Sequence, residues 1–300
     1  MIQFTAARQD HTFTDAHGVT VHFYQWKTGK PRGIVQISHG LGEYAARYER
    51  LAQALVNAGY TVYADDHRGH GQTGMEQHAG DASQLGRLGT GGMPATVEDV
   101  RQLTSIIRDE NPGVPLVLFG HSWGSIIVQK ILDAHSDEYD AAVLSGTALR
   151  TFRHMKGGDL NSRHRHLGDT GYEWLSRDEA VSAAFRDDKL TFTADAIKLF
   201  GLRDALRLLG VPKKRFPQDI PLLIQVGSDD PFGGDTSAEL LAEAYVSRSR
   251  LTDVELIIYS GARHEIFNET NYLEVTADLL AWLSSHIGAE GTSAAPAAGR

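Results

Sequence analysis

The strongest constraint on the fold is the order in which short apolar runs and amphipathic stretches alternate. Residues 33–38, 60–64, 115–119 and 141–145 are short runs rich in β-branched and apolar residues. Tyr44, Tyr48, Leu51, Ala52, Leu55 and Val56 recur at helical spacing before Gly59, and Val97, Val100, Leu103 and Ile107 do so on a second stretch. The alternation returns late, with strands expected over 221–226 and 253–259 and helices over 236–247 and 271–286. Strand–helix repeats of this kind predict a mostly parallel sheet covered by helices on both faces. Right-handed crossovers then bring the carboxyl ends of the parallel strands to one edge. Ahead of them, residues 11–27 read as a hairpin around Asp15-Ala16-His17-Gly18. Thr96-Val97-Glu98-Asp99 resembles a capping box opening the second helix.

Residues 147–217 break the rhythm. No strand is expected there, and 177–187 and 193–209 read as helices. The division that follows is a core of residues 1–146 and 218–287, a helical cap or lid of residues 147–217 over the active edge, and a disordered tail, 288–300. Residues 72–95 read as a long Gly-rich loop.

Bulk properties remove whole classes of function. The 300-residue chain carries 29 Lys and Arg against 38 Asp and Glu, so it lacks the basic footprint of a nucleic-acid binder. It has no cysteine, which excludes disulfides and thiolate chemistry. With no secretory h-region and no long apolar run, a cytoplasmic protein is the expectation.

The chemistry centres on Gly120-His121-Ser122-Trp123-Gly124, a G-x-S-x-G run between an apolar strand and an apolar helix. In that setting the serine sits on a tight turn and the glycines prevent collision between strand and helix backbones. A serine hydroxyl needs a base, and the base an orienting acid. The loops after the two late strands supply them in the order acid then histidine: Gly227-Ser228-Asp229-Asp230-Pro231 and Gly261-Ala262-Arg263-His264-Glu265. Asp230 is preferred over Asp229 and Asp235 as the acid, and His264 over His39 and His121 as the base. Leu41, in the turn His39-Gly40-Leu41-Gly42-Glu43, and Trp123 are the candidate backbone donors to an oxyanion. Asp66-His67-Arg68-Gly69-His70-Gly71 reads as a turn braced by an Asp–Arg pair rather than a metal site. His154, His164 and His166 read as solvated, so neither a metal nor another cofactor is expected.

The turn Ser38–Glu43, the run Asp66–Gly71, the serine elbow and the run Gly261–Glu265 together resemble the monoacylglycerol lipase and lysophospholipase-like branch of the α/β-hydrolases, the serine-aminopeptidase-like enzymes, over about residues 10–287. The resemblance implies a triad of Ser122, Asp230 and His264 with Leu41 and Trp123 as the oxyanion hole. It departs at Trp123, where the family often has Met, and at Ser125, where it often has Gly. The implied reaction is cofactor-free cleavage of a small ester or lipid through an acyl-enzyme. Phthalate-monoester hydrolase, lactonase and aminopeptidase activity are the alternatives, and a non-catalytic receptor a more distant one. Gly40, His121, Phe152 and Trp174 are candidate substrate contacts. Phe152, Tyr172, Trp174, Phe185 and Phe200 would either line an acyl tunnel or, the favoured reading, pack the cap onto the core. An amphipathic cap would also let the protein touch membrane or micelle surfaces transiently. The sequence leaves its oligomeric state open.

Overall fold

The structure is a computed structural model that describes residues 6–287. The N-terminal five residues and the tail 288–300, expected to be disordered, lie outside the described residues.

An eight-stranded sheet runs through the centre: β1 (Arg8–Thr14), β2 (Thr20–Trp26), β3 (Gly33–Ser38), β4 (Tyr60–Asp65), β5 (Leu116–His121), β6 (Ala141–Ser145), β7 (Leu222–Gly227) and β8 (Val254–Tyr259). Their spatial order is β1-β2-β4-β3-β5-β6-β7-β8. β1 and β2 form the expected hairpin, and β2 joins β4 antiparallel; every pairing from β4 to β8 is parallel. β3 through β7 are buried along their whole length, which explains why they read as continuous apolar runs without alternation.

The helices are α1 (Glu49–Asn57), α2 (Gly71–Gln77), α3 (Gly92–Glu110), α4 (Trp123–His135), α5 (Glu179–Asp187), α6 (Ala196–Leu206), α7 (Gly234–Ala244) and α8 (Tyr272–His286). Two apolar cores result. One packs α3, α4 and α7 residues such as Leu103, Ile127 and Leu241 against one sheet face, and the other packs α1 and α8 residues such as Leu55 and Leu279 against the opposite face.

Three local expectations are corrected. α3 starts at Gly92, so Thr96 is inside the helix, where its hydroxyl donates to the Gly92 carbonyl (3.2 Å), and caps nothing. The first-turn amide of Met93 donates instead to Asp204 of α6 (3.2 Å), a partner that no local pattern can reveal. Residues 72–95 are not one long loop, since they hold most of α2, a short 3-10 turn and the start of α3. The helix expected over 193–209 is shorter and broken, because Gly201 inside α6 has φ 77°.

Between β6 and β7 the chain makes no strand and carries α5 and α6. This insertion leaves from the carboxyl end of β6 and lies over the edge where the carboxyl ends of β3, β5, β7 and β8 meet, before the chain crosses to the amino end of β7. It is tied there by polar contacts. Phe192 N–H donates to the Gly42 carbonyl (3.0 Å), Tyr44 hydroxyl to Asp188 (2.7 Å), and Arg177 Nε to the buried Glu269 (2.8 Å).

Candidate active site

The topology places the site before any side chain is considered. β3 and β5 are neighbours, yet one chain direction leaves β3 towards β4 and the other leaves β5 towards β6, which is the switch point where such sheets open a crevice. Ser38 pairs in register with Gly120, so the turn His39–Glu43 leaves the sheet beside the turn at Ser122.

Ser122 lies between β5 and α4 with φ 52° and ψ −122°, a strained conformation for a residue with a side chain. A Cβ at Gly124 would strike the Ser38 and His39 carbonyls, and one at Gly120 would strike the Gly124 carbonyl and Val128. The two glycines therefore allow the close approach of strand and helix that lifts Ser122 above the sheet.

Asp230 and His264 meet. His264 Nδ1 lies 2.9 and 3.0 Å from the two carboxylate oxygens of Asp230, and both side chains are buried. A carboxylate only accepts, so the Nδ1 proton is fixed towards Asp230 and Nε2 is left with its lone pair. Burial pulls the His264 pKa down, but Asp230, then Glu265 and Glu43, outweigh it and hold the group above its ordinary value. Asp229 faces elsewhere: its oxygens take Arg163 (2.8 Å) and His164 (2.8 Å) from the insertion. His164 is accordingly buried rather than solvated, a correction that depends on this carboxylate beyond β7 in sequence. His166 is exposed and His154 half-buried, while Asp235 is exposed in the first turn of α7.

Both backbone polar groups of Gly40 are held. Gly40 N–H donates to Glu43 (2.7 Å). His39 Nε2 accepts from His67 N–H (2.9 Å), so its proton is on Nδ1, which donates to the Gly40 carbonyl (2.7 Å). A carbonyl and the next N–H belong to one planar unit and point opposite ways. Fixing the Gly40 carbonyl thus fixes the direction of the Leu41 N–H. Burial, with His67 and His70 beside it, keeps His39 neutral by pushing its pKa well below normal. The Trp123 N–H is the first of α4 and has no acceptor within its helix.

Glu43 also accepts from Tyr48 (2.7 Å) and Arg47 (2.7 Å), and Arg47 donates to Glu265 at 2.6 and 2.8 Å. This network ties the Gly40 turn to the residue after His264. Glu43 and Glu265 both lie within runs singled out in the sequence, where Gly40, Leu41 and His264 carry the reading and neither glutamate is given a role; the Glu43–Arg47 spacing of four is the available signal.

Other expected contacts separate. His121 is buried, its ring 4.8 Å from that of His264, with Nδ1 3.1 Å from the Ser145 hydroxyl. Trp174 packs its ring 4.8 Å from His264. Phe152 is 80% exposed, at the rim of the cavity. Tyr172, Trp174 and Phe185 cluster with Leu175 inside the insertion, and Phe200 packs on Trp123. Arg68 does brace its turn, but through Asp15 and Asp99 (2.7 Å to the latter) rather than Asp66. Beside it, Ser38, His67 and Asp65 form a second Ser–His–Asp arrangement at 2.9 and 2.7 Å, fully buried. No cluster of potential metal ligands occurs among the described residues.

Two cavities meet here. The larger, about 900 Å³, is lined by Gly40, Leu41, Ser122, Trp123, His264 and mostly apolar residues of the insertion. The smaller, about 20 Å³, has room for about one water and is lined by Glu43, Arg47, Tyr48, Leu51, His121, Glu265, Phe267 and Asn268. They share Glu43, His121 and Glu265.

The sequence profile described as "Serine aminopeptidase, S33" matches residues 29–271. The chain belongs to that family. It is 32% identical to a monoacylglycerol lipase of Mycolicibacterium smegmatis, over 94% of this chain and 99% of the relative. It is 29% identical to the human monoglyceride lipase, over 94% and 92%. Among solved structures, a thermostable carboxyl esterase from Bacillus coagulans in complex with glycerol superposes with a TM-score of 0.80 at 25% identity, covering 94% of this chain and 99% of that one. This member of the S33 family is an α/β-hydrolase and a serine ester hydrolase of the monoglyceride lipase type.

Proposed function

We propose that Ser122, Asp230 and His264 are the catalytic triad and that the enzyme releases glycerol from monoacylglycerols. The observation that carries the substrate reading is the cavity of about 900 Å³, lined mostly by apolar side chains, that reaches both Ser122 and His264. It has room for the acyl chain of an amphiphilic ester, and two relatives matched over nearly their whole length are monoacylglycerol lipases.

His264 Nε2 takes the Ser122 proton as the hydroxyl attacks the carbonyl carbon, and the Leu41 and Trp123 N–H groups receive the oxyanion. The imidazolium then protonates the leaving alcohol, and the same nitrogen activates water to release the acid. Residues 147–217 act as a cap that covers the acyl cavity. An aminopeptidase would need an unengaged carboxylate to hold a substrate ammonium. The carboxylates lining the large cavity are already engaged: Glu43 and Glu265 by Arg47, Asp195 by Lys198, and Asp159 by Arg165. Asp178, Glu179 and Asp187 are exposed helix charges.

The test is hydrolysis of a mono-oleoylglycerol beside a lysophospholipid, a phthalate monoester and an aminoacyl amide, with wild type and Ser122→Ala. Fastest turnover of the monoacylglycerol, reduced about 10⁴-fold or more in the variant, is expected. Preference for the amide would reject the substrate assignment, and retained turnover in Ser122→Ala would reject the nucleophile. Failure of a fluorophosphonate to label Ser122 would instead favour a receptor.

A further inference from the structure

Trp123 does more than supply a backbone donor. Its indole is 3% exposed and lines the large cavity one residue from the nucleophile. The ring is wedged from three sides. His70 stacks on it at 5.1 Å with planes 28° apart, His67 meets it edge-on at 5.4 Å, and Phe200 of α6 closes over it at 5.2 Å.

The supports on the core side do not yield. His67 is bound to Asp65 and Ser38, His70 Nδ1 donates to the Arg68 carbonyl (2.8 Å), and both rings are fully buried. Phe200 immediately precedes the break at Gly201, so the insertion side of the wedge is the end of a short helical piece rather than a continuous helix. A rigid aromatic plate therefore lines the cavity one residue from the nucleophile. Leu160, Phe185, Leu202 and Leu206 of the insertion line the same cavity.

We infer that Trp123 is a specificity-determining residue that admits acyl groups linear next to the carbonyl and rejects those branched or aromatic at that position. This rests on the proposed assignment of the large cavity to the acyl chain. A straight chain slips along the indole face towards the apolar side chains of the insertion. A pivaloyl, benzoyl or phthaloyl group presents its full width beside the carbonyl, where the plate is fixed by His67 and His70. The small residue in place of the plate would join the space between the elbow and the His70 turn to the cavity.

The experiment compares kcat/KM for p-nitrophenyl butyrate with that for p-nitrophenyl pivalate and benzoate, in wild type, Trp123→Ala, Trp123→Met and Phe200→Ala. The ratio of linear to bulky ester cancels any general loss of activity in a variant. Wild type is expected to favour butyrate strongly. Trp123→Ala should lower the ratio by about tenfold or more, since pocket volume discriminates on that scale. Trp123→Met should lower it less, and Phe200→Ala, which leaves the elbow intact, should lower it by letting the indole swing. An unchanged ratio in variants that still hydrolyse butyrate overturns the inference. If Trp123→Ala fails to fold, Trp123→Met and Phe200→Ala decide alone. Absence of ester hydrolysis in wild type would instead overturn the function on which the inference rests.

Discussion

At the scale of single residues, the site depends on side chains that hold others in one orientation. With Leu41 as the proposed oxyanion donor, His39 is a positioning residue, because the carbonyl it grips shares a peptide unit with the Leu41 N–H. His39→Ala frees that peptide to rotate and should lower kcat by roughly 10²-fold, the scale of losing one oxyanion donor, with KM nearly unchanged. Steady-state kinetics on a soluble ester separate this from a binding defect, which would raise KM. In the proposed mechanism His264 must be neutral to accept the Ser122 proton, so activity should fall as pH drops through its pKa. Asp230, Glu265 and Glu43 outweigh burial and raise that pKa, so the acid limb of kcat/KM should inflect above about 6.5, the ordinary histidine value. In Asp230→Asn the largest raising influence is gone and burial prevails. The inflection should move to lower pH while kcat falls about 10⁴-fold. The residues of the proposed triad were legible because each follows a strand with a recognisable apolar pattern. His39 and Arg47 were not, since their roles rest on contacts with His67 and Glu265 that sequence spacing does not express.

At the scale of elements, the parallel strands could be read because burial on both faces leaves unbroken apolar runs bounded by glycine and polar turns. The insertion was less readable. Its helices are short, α6 is interrupted at Gly201, and the partners that order it lie in the core. Asp204 capping α3 and Asp229 burying His164 are examples: each carboxylate satisfies a group far along the chain, so neither the true start of α3 nor the burial of His164 shows locally. Glu269 is the clearest tie between insertion and core. It is buried and accepts from Arg177 N–H (3.1 Å), Arg177 Nε (2.8 Å), Arg263 N–H (2.8 Å) and Thr270 N–H (2.9 Å). Glu269→Ala leaves these donors without their acceptor. A loss of about 2–3 kcal/mol is expected, which corresponds to a fall in Tm of roughly 5 °C in a chain of this size. Calorimetry of the purified variant checks it.

At the scale of the whole molecule, apolar side chains are exposed unevenly. Phe152, Leu167, Ile197, Leu202, Leu206 and Val211, most of the large apolar side chains exposed among the described residues, lie in the insertion. Phe152, Ile197, Leu202 and Leu206 also border the large cavity. No helix among the described residues is long and apolar enough to cross a membrane. A rim of this kind around a lipid-sized cavity favours docking on aggregated substrate. Activity on a long-chain monoacylglycerol should therefore rise above its micellar threshold, and Ile197→Glu with Leu202→Glu should flatten the rise. A rate that passes through the threshold without changing slope in the wild type would count against docking.

The buried constellation of Ser38, His67 and Asp65 has a consequence for anyone counting active serines. A search for the three side chains at hydrogen-bonding distance picks out this set. Chemistry should find the reactive serine at Ser122 instead. Ser38 ends a strand with no solvent reaching it, and its hydroxyl serves as a rivet in the wall behind the elbow. Titration with a fluorophosphonate should end at one equivalent per chain, the same in Ser38→Ala as in wild type, and at zero in Ser122→Ala. What makes a serine reactive here is its address in the fold and the backbone it stands on, and the company of a histidine and an aspartate is not enough.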